Sequence, residues 1–377
     1  MDAYIVFAFP VFGLMILAEA VLGLRAGRAN YRLNDTISNV SQGLLNQITL
    51  GFTNLLLLGL YALVYARLGG SAPAALARLW DAWYGWPLAI VLVDFCGYWA
   101  HRCSHHVAVL WAAHVVHHQS QTFNFSTALR QESAFPILGG LFYAPLALLG
   151  LPPQMFALAW MVVLLYQVWI HTELVGNLGW FDRVFASPSN HRVHHALNDC
   201  YIDRNFGGLL IVWDRIFGTF TPEGEEACLY GTRPLLNSWD PLWANAIVYG
   251  KLLQDAWHAR RWSDKLRVWF MPPGWRPADV AQRFPRPPFS LAEVRRFDPP
   301  LGRTARLAGV AQFLLCVLLC SAFLWYAREL GMARQALIVA ALSVGLWLCG
   351  ALLQGRMGIR TVLLADAALA VAAYLAR

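Results

Sequence analysis

Charge is scarce in this chain, and lysine is almost absent. Only 14% of the 377 residues are charged and 58% are hydrophobic, whereas about a quarter of an ordinary soluble domain is charged. Lys251 and Lys265 are the only lysines, and the arginines lie beside apolar runs rather than on a basic face interleaved with aromatic side chains. These features exclude an ordinary soluble domain and argue against nucleic acid as a partner. Anionic lipid headgroups explain the net charge of +7 more simply.

Paired cysteines are also missing. The seven cysteines contain no Cys-x-x-Cys pair, so nothing indicates a disulfide framework and we expect a reducing compartment. Cys103 lies between two histidines and could in principle ligate a metal, but a small packing residue is the simpler interpretation. No His-Glu-x-x-His is present, which excludes the zinc metalloprotease signature.

Long apolar runs dominate what is present, and a membrane-spanning helix needs about 20 such residues. The runs are 3–24, 43–66, 86–100, 135–151, 154–171, 304–327, 333–353 and 357–376. The chain starts Met1-Asp2 without a positive segment, so we take the first run as a span rather than a signal peptide. The arginines within 25–35 indicate a cytoplasmic loop. We expect the third run to continue as a helix into the cytoplasm, and 135–151 and 154–171 to form a helical hairpin. The fold class predicted is an all-α polytopic membrane protein.

We expect four parts along the chain. Residues 1–34 form an N-terminal membrane helix and loop, 35–275 a central membrane domain, 276–303 a linker rich in Pro and Arg, and 304–377 about three C-terminal membrane helices. Within this arrangement, 172–303 carry 16 of the 29 Lys+Arg and no run long enough to span. We expect that region to lie on the cytoplasmic side against the membrane. The C-terminal helices lack histidine and are expected to anchor the protein or pack against it.

Histidine is concentrated in one region. Ten of the eleven histidines lie between residues 101 and 195, in an H-x3-HH motif, two H-x2-HH motifs and one isolated position. They are His101, His105, His106, His114, His117, His118, His171, His191, His194 and His195. Residues three and four apart share a helical face, so each motif aims two or three imidazoles in one direction. Imidazole suits Fe, Zn, Cu and Ni, and ten ligands are too many for one ion. The spacing therefore predicts two metal ions, while His258 is interpreted as a packing residue.

Ligating histidines usually donate their second ring N–H to a carboxylate or carbonyl. The sequence offers several polar residues near the histidines for this supporting role. The candidates are Asp94, Glu132, Glu173, Asn190 and Asp199, with Asp203 in addition. Asp94 lies seven residues before His101 on about the same helical face, inside an apolar run, where an acid needs a partner. A hydrogen bond that only holds helices together is the equal alternative.

The histidine pattern among apolar runs resembles the fatty acid hydroxylase / sterol desaturase superfamily of membrane di-iron enzymes, over about residues 35–275. The segments STALRQ (126–131), WIHTEL (169–174), SPSNHRVHH (187–195) and GGLLIVWDRIFGTF (207–220) are most similar to its alkylglycerol-cleaving branch. His106 stands where that branch would have Glu, and matches the wider superfamily.

The resemblance implies a four-helix transmembrane core with a cytoplasmic histidine-rich helical cap around two Fe ions. It also implies that O2 attacks an unactivated lipid C–H bond, with no catalytic residues beyond the metal centre. In the alkylglycerol-cleaving branch that bond is next to an ether oxygen, the products are an aldehyde and glycerol, and the electron donor is tetrahydrobiopterin. The chain has no His-Pro-Gly-Gly motif of a fused cytochrome b5, so an external electron donor is expected.

Several alternatives remain open at this point. Sterol desaturation and fatty-acyl hydroxylation belong to the same superfamily. A non-catalytic metal-binding membrane protein would also use histidines, although transport sites usually lie near the bilayer midplane, whereas these flank the ends of spans. A scaffold that kept the motifs by descent is a third alternative. The Arg-rich composition and the lack of an organelle signal favour a bacterial inner membrane, with the metal site facing the cytoplasm.

Overall fold

A computed structural model describes residues 6–69, 73–133 and 138–375. Throughout these ranges the regular secondary structure is helical, and the only β-type pairs are two isolated bridges, Phe185 with Leu210 and Ala196 with Tyr230. The all-α prediction is confirmed. The helices of the first half are α1 (Ala8–Arg25), α2 (Leu33–Leu68), α3 (Ala74–Asp81), α4 (Gly85–His106), α5 (Ala108–His118), α6 (Phe125–Ala128), α7 (Ala144–Leu148) and α8 (Pro153–Trp169).

The second half contains five helices that follow the isolated histidine, and then three apolar C-terminal helices. The first five are α9 (Pro188–His195), α10 (Val212–Ile216), α11 (Pro241–His258), α12 (Trp262–Phe270) and α13 (Ala278–Arg283). The C-terminal helices are α14 (Arg303–Tyr326), α15 (Met332–Leu353) and α16 (Ile359–Leu375).

Four helices of the described ranges are long and apolar enough to cross a membrane. They are Ala8–Arg25, Leu33–Leu68, Arg303–Glu329 and Met332–Leu353, and the apolar helix Pro153–Trp169 is shorter. The protein is therefore a multi-pass membrane protein. Two of the four helices belong to the C-terminal region rather than to the predicted core around the histidines. The predicted third span, α4, continues through the first histidine motif as expected.

The expected hairpin of 135–151 and 154–171 is only half present. Its second arm is α8, but the first consists of a 3-10 turn (Gly140–Tyr143) and the five residues of α7, with Pro145 in its first turn. Proline lacks the amide donor that a continuous helix needs, and Gly150 adopts a positive φ of 74°. Residues 134–137 of that predicted arm lie outside the described residues.

Helix α2 is longer than the predicted span 43–66, since it begins at Leu33 inside the expected loop. Its 36 residues extend about 54 Å, and the hydrocarbon core is about 30 Å thick. The added N-terminal turns carry polar side chains that are buried in protein: Asn34, Asp35, Ser38, Asn39, Ser41 and Gln42. One helix therefore connects the membrane to the polar interior beside the histidines.

The C-terminal helices pack on α2. Leu45 and Ile48 of α2 lie in one apolar cluster with Cys320 of α14 and Leu346 of α15. Helix α15 also supports the cap, because a Cβ added at Gly350 would lie 2.5 Å from the carbonyl oxygen of Trp239. Helices α14 and α15 therefore form a packing layer on α2.

Candidate metal centre

The C-terminal end of α4 carries the first histidine motif. His101 and His105 are four residues apart, so their rings share a face, and that face turns into the protein. His106 is rotated from His105 by about 100° and is exposed. At Val107 an extended backbone (φ −121°, ψ 120°) ends α4 and starts α5 at once, so the second motif folds back beside the first.

Five histidines bring one ring nitrogen each to a common point, and we call them group one. They are His101, His105, His114, His118 and His194. The five nitrogens lie within 4.8 Å of one another, close to the span of ligands around one ion with metal–nitrogen bonds of about 2.1 Å. The Nε2 atoms of His101, His105 and His194 are buried without a hydrogen-bond partner. This is expected of imidazole nitrogens that serve as metal ligands.

A second set, group two, consists of His117, His171, His191 and His195. Nε2 of His171 lies 3.2 Å from Nε2 of His117 and 3.0 Å from that of His191. Nε2 of His191 lies 3.2 Å from that of His195. All four residues are buried, so water does not solvate these nitrogens.

The opposite ring nitrogen, Nδ1, is anchored in both groups. Four of these atoms face backbone carbonyl oxygens: His101 to Phe206 (2.8 Å), His117 to Arg130 (3.1 Å), His171 to Gln167 (2.7 Å) and His194 to Arg204 (2.9 Å). A carbonyl can only accept, so Nδ1 of each ring carries the proton. The tautomer is thereby assigned, and Nε2 is left with a lone pair.

The contact between His117 and His171 tests whether a cation fits. Both rings donate from Nδ1, so two Nε2 lone pairs face each other at 3.2 Å and neither can donate to the other. Buried polar atoms are normally paired, and this pair repels. A metal ion between the rings turns the repulsion into coordination. The residues present therefore fit a bound metal.

Helices α5 and α9 each contribute to both groups. On α5, His114 and His118 belong to group one and His117 to group two. On α9, His194 belongs to group one, while the residues three and one positions away belong to group two. The rings of His118 and His195 stack with centroids 4.5 Å apart. Ions held by the two groups would therefore be neighbours.

Burial dominates the electrostatics of these side chains. It lowers the pKa of His114 to about 3 and that of His117 to about 4, so both rings are neutral at physiological pH. The same burial raises the pKa of Glu132 to about 7, and its Oε1 lies 3.3 Å from Nδ1 of His114. Neutral imidazole is the form that binds metal, and a nearby cation would favour the Glu132 carboxylate.

The structure does not bring one of the ten predicted ligands, His106, together with the others. This residue is exposed, lies in neither group, and contacts the ring of Phe206 at 6.0 Å. The doublet His105-His106 cannot aim both rings inward, because adjacent helical positions point in different directions. Cys103 also lies outside both groups. The candidate ligands are therefore nine histidines.

The predicted supporting residues divide in the same way. Glu132 faces His114, and Asp203, with Oδ1 3.1 Å from Nδ1 of His105, holds a group-one ring as well. The prediction that Asp199 supports a histidine is corrected, because its exposed carboxylate pairs with Arg233 at 2.7 Å instead. The same prediction for Asn190 is corrected too, because its side chain donates to the carbonyls of Asp182 and Phe185 instead of contacting a histidine ring.

The remaining two acids also make no direct contact with a histidine ring. Asp94 accepts from the backbone N–H of Leu209 (2.8 Å) and Leu210 (3.0 Å) and from the indole N–H of Trp213 (2.8 Å). These hydrogen bonds join α4 to α10 and to two residues just before it. Asp94 therefore holds elements of the fold together. Glu173 lies near Tyr230 and Arg192, and burial raises the pKa of its carboxyl.

Two further residues position the histidines. Asp214 accepts from the backbone N–H of Phe206 (2.8 Å) and Gly207 (2.7 Å). It thereby positions the carbonyl of Phe206, which accepts a hydrogen bond from Nδ1 of His101. Arg130 is fully buried and donates to Val116, Ser38, Asn39 and Gln119, while its own carbonyl receives His117. Asp214, in a Trp-Asp-Arg segment, resembled a structural turn, and only its hydrogen bonds reveal the link to the histidines.

Comparison with known proteins gives the family that the histidine motifs resemble. The family described as fatty acid hydroxylase matches residues 86–219. An alkylglycerol monooxygenase of Danio rerio is 36% identical over 318 residues, which cover 83% of this chain and 69% of the relative. The chain belongs to the alkylglycerol monooxygenase family. The human alkylglycerol monooxygenase is 37% identical over 73% of this chain and 60% of its own length.

More distant relatives share only the central region. An ornithine lipid hydroxylase of Rhizobium tropici is 31% identical over 36% of this chain and 43% of the relative. No solved structure matches. The chain is thus a membrane-bound oxidoreductase of the lipid hydroxylase and monooxygenase superfamily, and its histidine groups and family together favour iron as the metal.

Proposed function

We propose that the protein is a di-iron, O2-dependent monooxygenase that cleaves ether lipids of the alkylglycerol class to an aldehyde and glycerol. The observation that carries the proposal is the pair of adjoining histidine groups, whose Nε2 lone pairs converge on two neighbouring points. Similarity to alkylglycerol monooxygenases over most of the chain supports the substrate class. Nine histidines would hold two iron ions, which supply the redox chemistry with O2 that zinc cannot.

The chain itself supplies geometry and exclusion of water. Carbonyl and carboxylate partners on Nδ1 hold six of the nine rings in one orientation. The groups are buried, so the reacting C–H bond would meet the metals in a site without bulk water. Hydroxylation of the carbon next to the ether oxygen gives a hemiacetal, which separates into aldehyde and glycerol.

Electrons must come from outside the chain, and tetrahydrobiopterin is the donor we propose. We also propose that the centre faces the cytoplasm of a bacterial inner membrane. The arginines at the inner end of α1 support this orientation, because cytoplasmic loops are enriched in Lys and Arg. The fourfold division of the chain at 34, 275 and 303 stays a prediction.

The proposal is tested on protein purified in detergent. We expect about two iron ions per chain, and fatty aldehyde from an alkylglycerol supplied with O2 and tetrahydrobiopterin. His117→Ala should lower the iron content toward one ion per chain and abolish aldehyde formation, whereas His106→Ala is the matched control and should keep two ions and the activity. Stoichiometric zinc without O2 consumption for any lipid would reject the enzyme. Bound iron with no aldehyde, but with a hydroxylated acyl lipid or a desaturated sterol, would reject only the ether-lipid assignment.

A further inference from the structure

A small cavity lies directly beside group two. Its volume is about 140 Å³, and its wall includes Asn30, Phe123, Glu173 and Tyr230. The lining residues lie at 29–30, 121–123, 173, 228–230, 294 and 296, and none comes from a helix long and apolar enough to span the membrane. The cavity thus belongs to the loops around the metal centre, away from the spans.

Aromatic rings connect this cavity to the histidines. The ring of Phe123 stacks on that of Tyr230 with centroids 5.1 Å apart and an interplanar angle of 17°. On the other side, Phe123 stacks on His171 at 5.4 Å and 28°. The ring of Phe123 therefore lies between Tyr230 and the group-two histidine His171. A ligand beside Tyr230 would be close enough to this histidine for electron transfer.

The cavity wall carries the polar side chains of Asn30, Gln121, Thr122, Glu173 and Arg296. Asn30 is only 8% exposed, yet its Nδ2 atom has no hydrogen-bond partner. Its backbone carbonyl is already used, since it accepts from Asn124 Nδ2 at 2.7 Å. Glu173 lines the cavity together with Tyr230, and a carboxylate can accept several hydrogen bonds. Orphaned buried donors are rare in native proteins, which indicates a missing acceptor at this position.

These groups define the ligand by its chemistry. A carboxylate pairs well with two adjacent N–H donors, an amide N–H pairs with a carbonyl oxygen, and a flat ring packs against aromatic side chains. A reduced pterin offers adjacent ring N–H and amino donors, a carbonyl and a flat bicyclic ring. A lipid chain is the poorer match, because the cavity is walled by loops and polar side chains.

We infer that this cavity binds the external electron donor, and that the donor is a flat hydrogen-bonding heterocycle of the reduced pterin class held by Glu173 and Asn30. The inference rests on the proposed function and locates its reductant. In the balanced reaction, the lipid C–H bond receives one oxygen atom of O2 as a hydroxyl. The tetrahydropterin loses two electrons and two protons to become a dihydropterin, and these convert the other oxygen atom to water.

The test uses the fluorescence of biopterin, which reports binding without turnover. Titration of the purified metal-loaded protein should quench biopterin fluorescence in a saturable way. Glu173→Gln should weaken this binding at least tenfold with the iron content unchanged, and should raise the KM for tetrahydrobiopterin without a matching rise in the KM for alkylglycerol. Glu225→Gln, at an exposed glutamate, is the matched control and should bind like the unmodified protein.

Three results would overturn the inference. Saturable binding that Glu173→Gln and Asn30→Ala leave unchanged would place the pterin elsewhere. Displacement of biopterin by a short alkylglycerol would mean that the cavity holds the lipid headgroup. Absence of biopterin binding, while an artificial reductant still supports aldehyde formation, would remove the pterin site and keep the enzyme. Failure of aldehyde formation with every reductant would instead count against the proposed function.

Discussion

His117 and His171 face each other through unprotonated Nε2 atoms 3.2 Å apart, while each donates from Nδ1 to a backbone carbonyl. This arrangement is unfavourable for two neutral rings alone and favourable around a cation. It connects α5 with the residues just after α8, which are 54 positions apart in sequence. Metal binding and the packing of these elements are therefore coupled.

The first prediction follows from this coupling. His171→Ala should remove one of four group-two ligands and lower the iron content toward one ion per chain, because group one keeps its five histidines. Metal analysis by mass spectrometry measures the outcome. His258→Ala, at the eleventh histidine outside both groups, should retain the unmodified content. Equal loss in both variants would contradict the assignment of group two.

The second prediction concerns Asp214. Asp214→Ala removes the acceptor that holds the Phe206 and Gly207 amides, so the carbonyl facing His101 loses its position. Loss of such an outer partner typically weakens metal affinity by about 10- to 100-fold. Competition with a chelator should show one of the two ions becoming labile. Asp182→Ala is the control, because Asp182 is also buried but accepts from Leu178; equal lability there would reduce the effect to general destabilisation.

The third prediction concerns Arg130. Its guanidinium donates to two side-chain amides, a hydroxyl and a backbone carbonyl, all buried. Arg130→Leu leaves those acceptors unsatisfied at about 1–3 kcal/mol each, before relaxation. We expect thermal unfolding in detergent to shift down by at least several degrees. Arg183→Leu, at an exposed arginine, should shift little, and comparable shifts would argue against the buried network.

The fourth prediction is a pH dependence of the metal-free protein. The folded pKa of His114 is about 3 and that of His117 about 4, against 6.5 unfolded. Below pH 6.5 the unfolded chain takes up protons that the folded chain does not, so stability is present above 6.5 and is lost as pH falls toward 4. The loss reaches about 1.4 kcal/mol per pH unit for each such histidine.

Glu132 acts in the opposite direction. Its folded pKa is raised from 4.5 to about 7, so its contribution is present below pH 4.5 and lost as pH rises through 7. One carboxyl opposes several histidines, because burial also lowers the pKa of His118, His191, His194 and His195. Melting temperatures of chelator-treated protein at pH 7.5, 6.5, 5.5 and 4.5 should therefore fall steadily. A flat profile would mean that these rings are solvated without metal.

Much of the site was predictable because its signal is local. The spacings H-x3-HH and H-x2-HH place rings on a shared helical face, and apolar runs of membrane length predict helices. His106 shows the limit of this reasoning, since a doublet contributes one inward ring and the sequence does not say which. Helix α2 shows another: its polar first turns read as a loop, and they are helical because folded neighbours bury them.

The sequence by itself determined an all-helical membrane protein with a histidine-based metal site, because helical periodicity, apolar length and imidazole chemistry are properties of short segments. Only the tertiary structure decided how the nine rings divide into two groups and what fixes their tautomers. Those fixing contacts come mostly from the backbone carbonyls of Phe206, Arg204, Arg130 and Gln167. Every residue has a carbonyl, so no side-chain pattern marks the ones that the fold brings to a histidine.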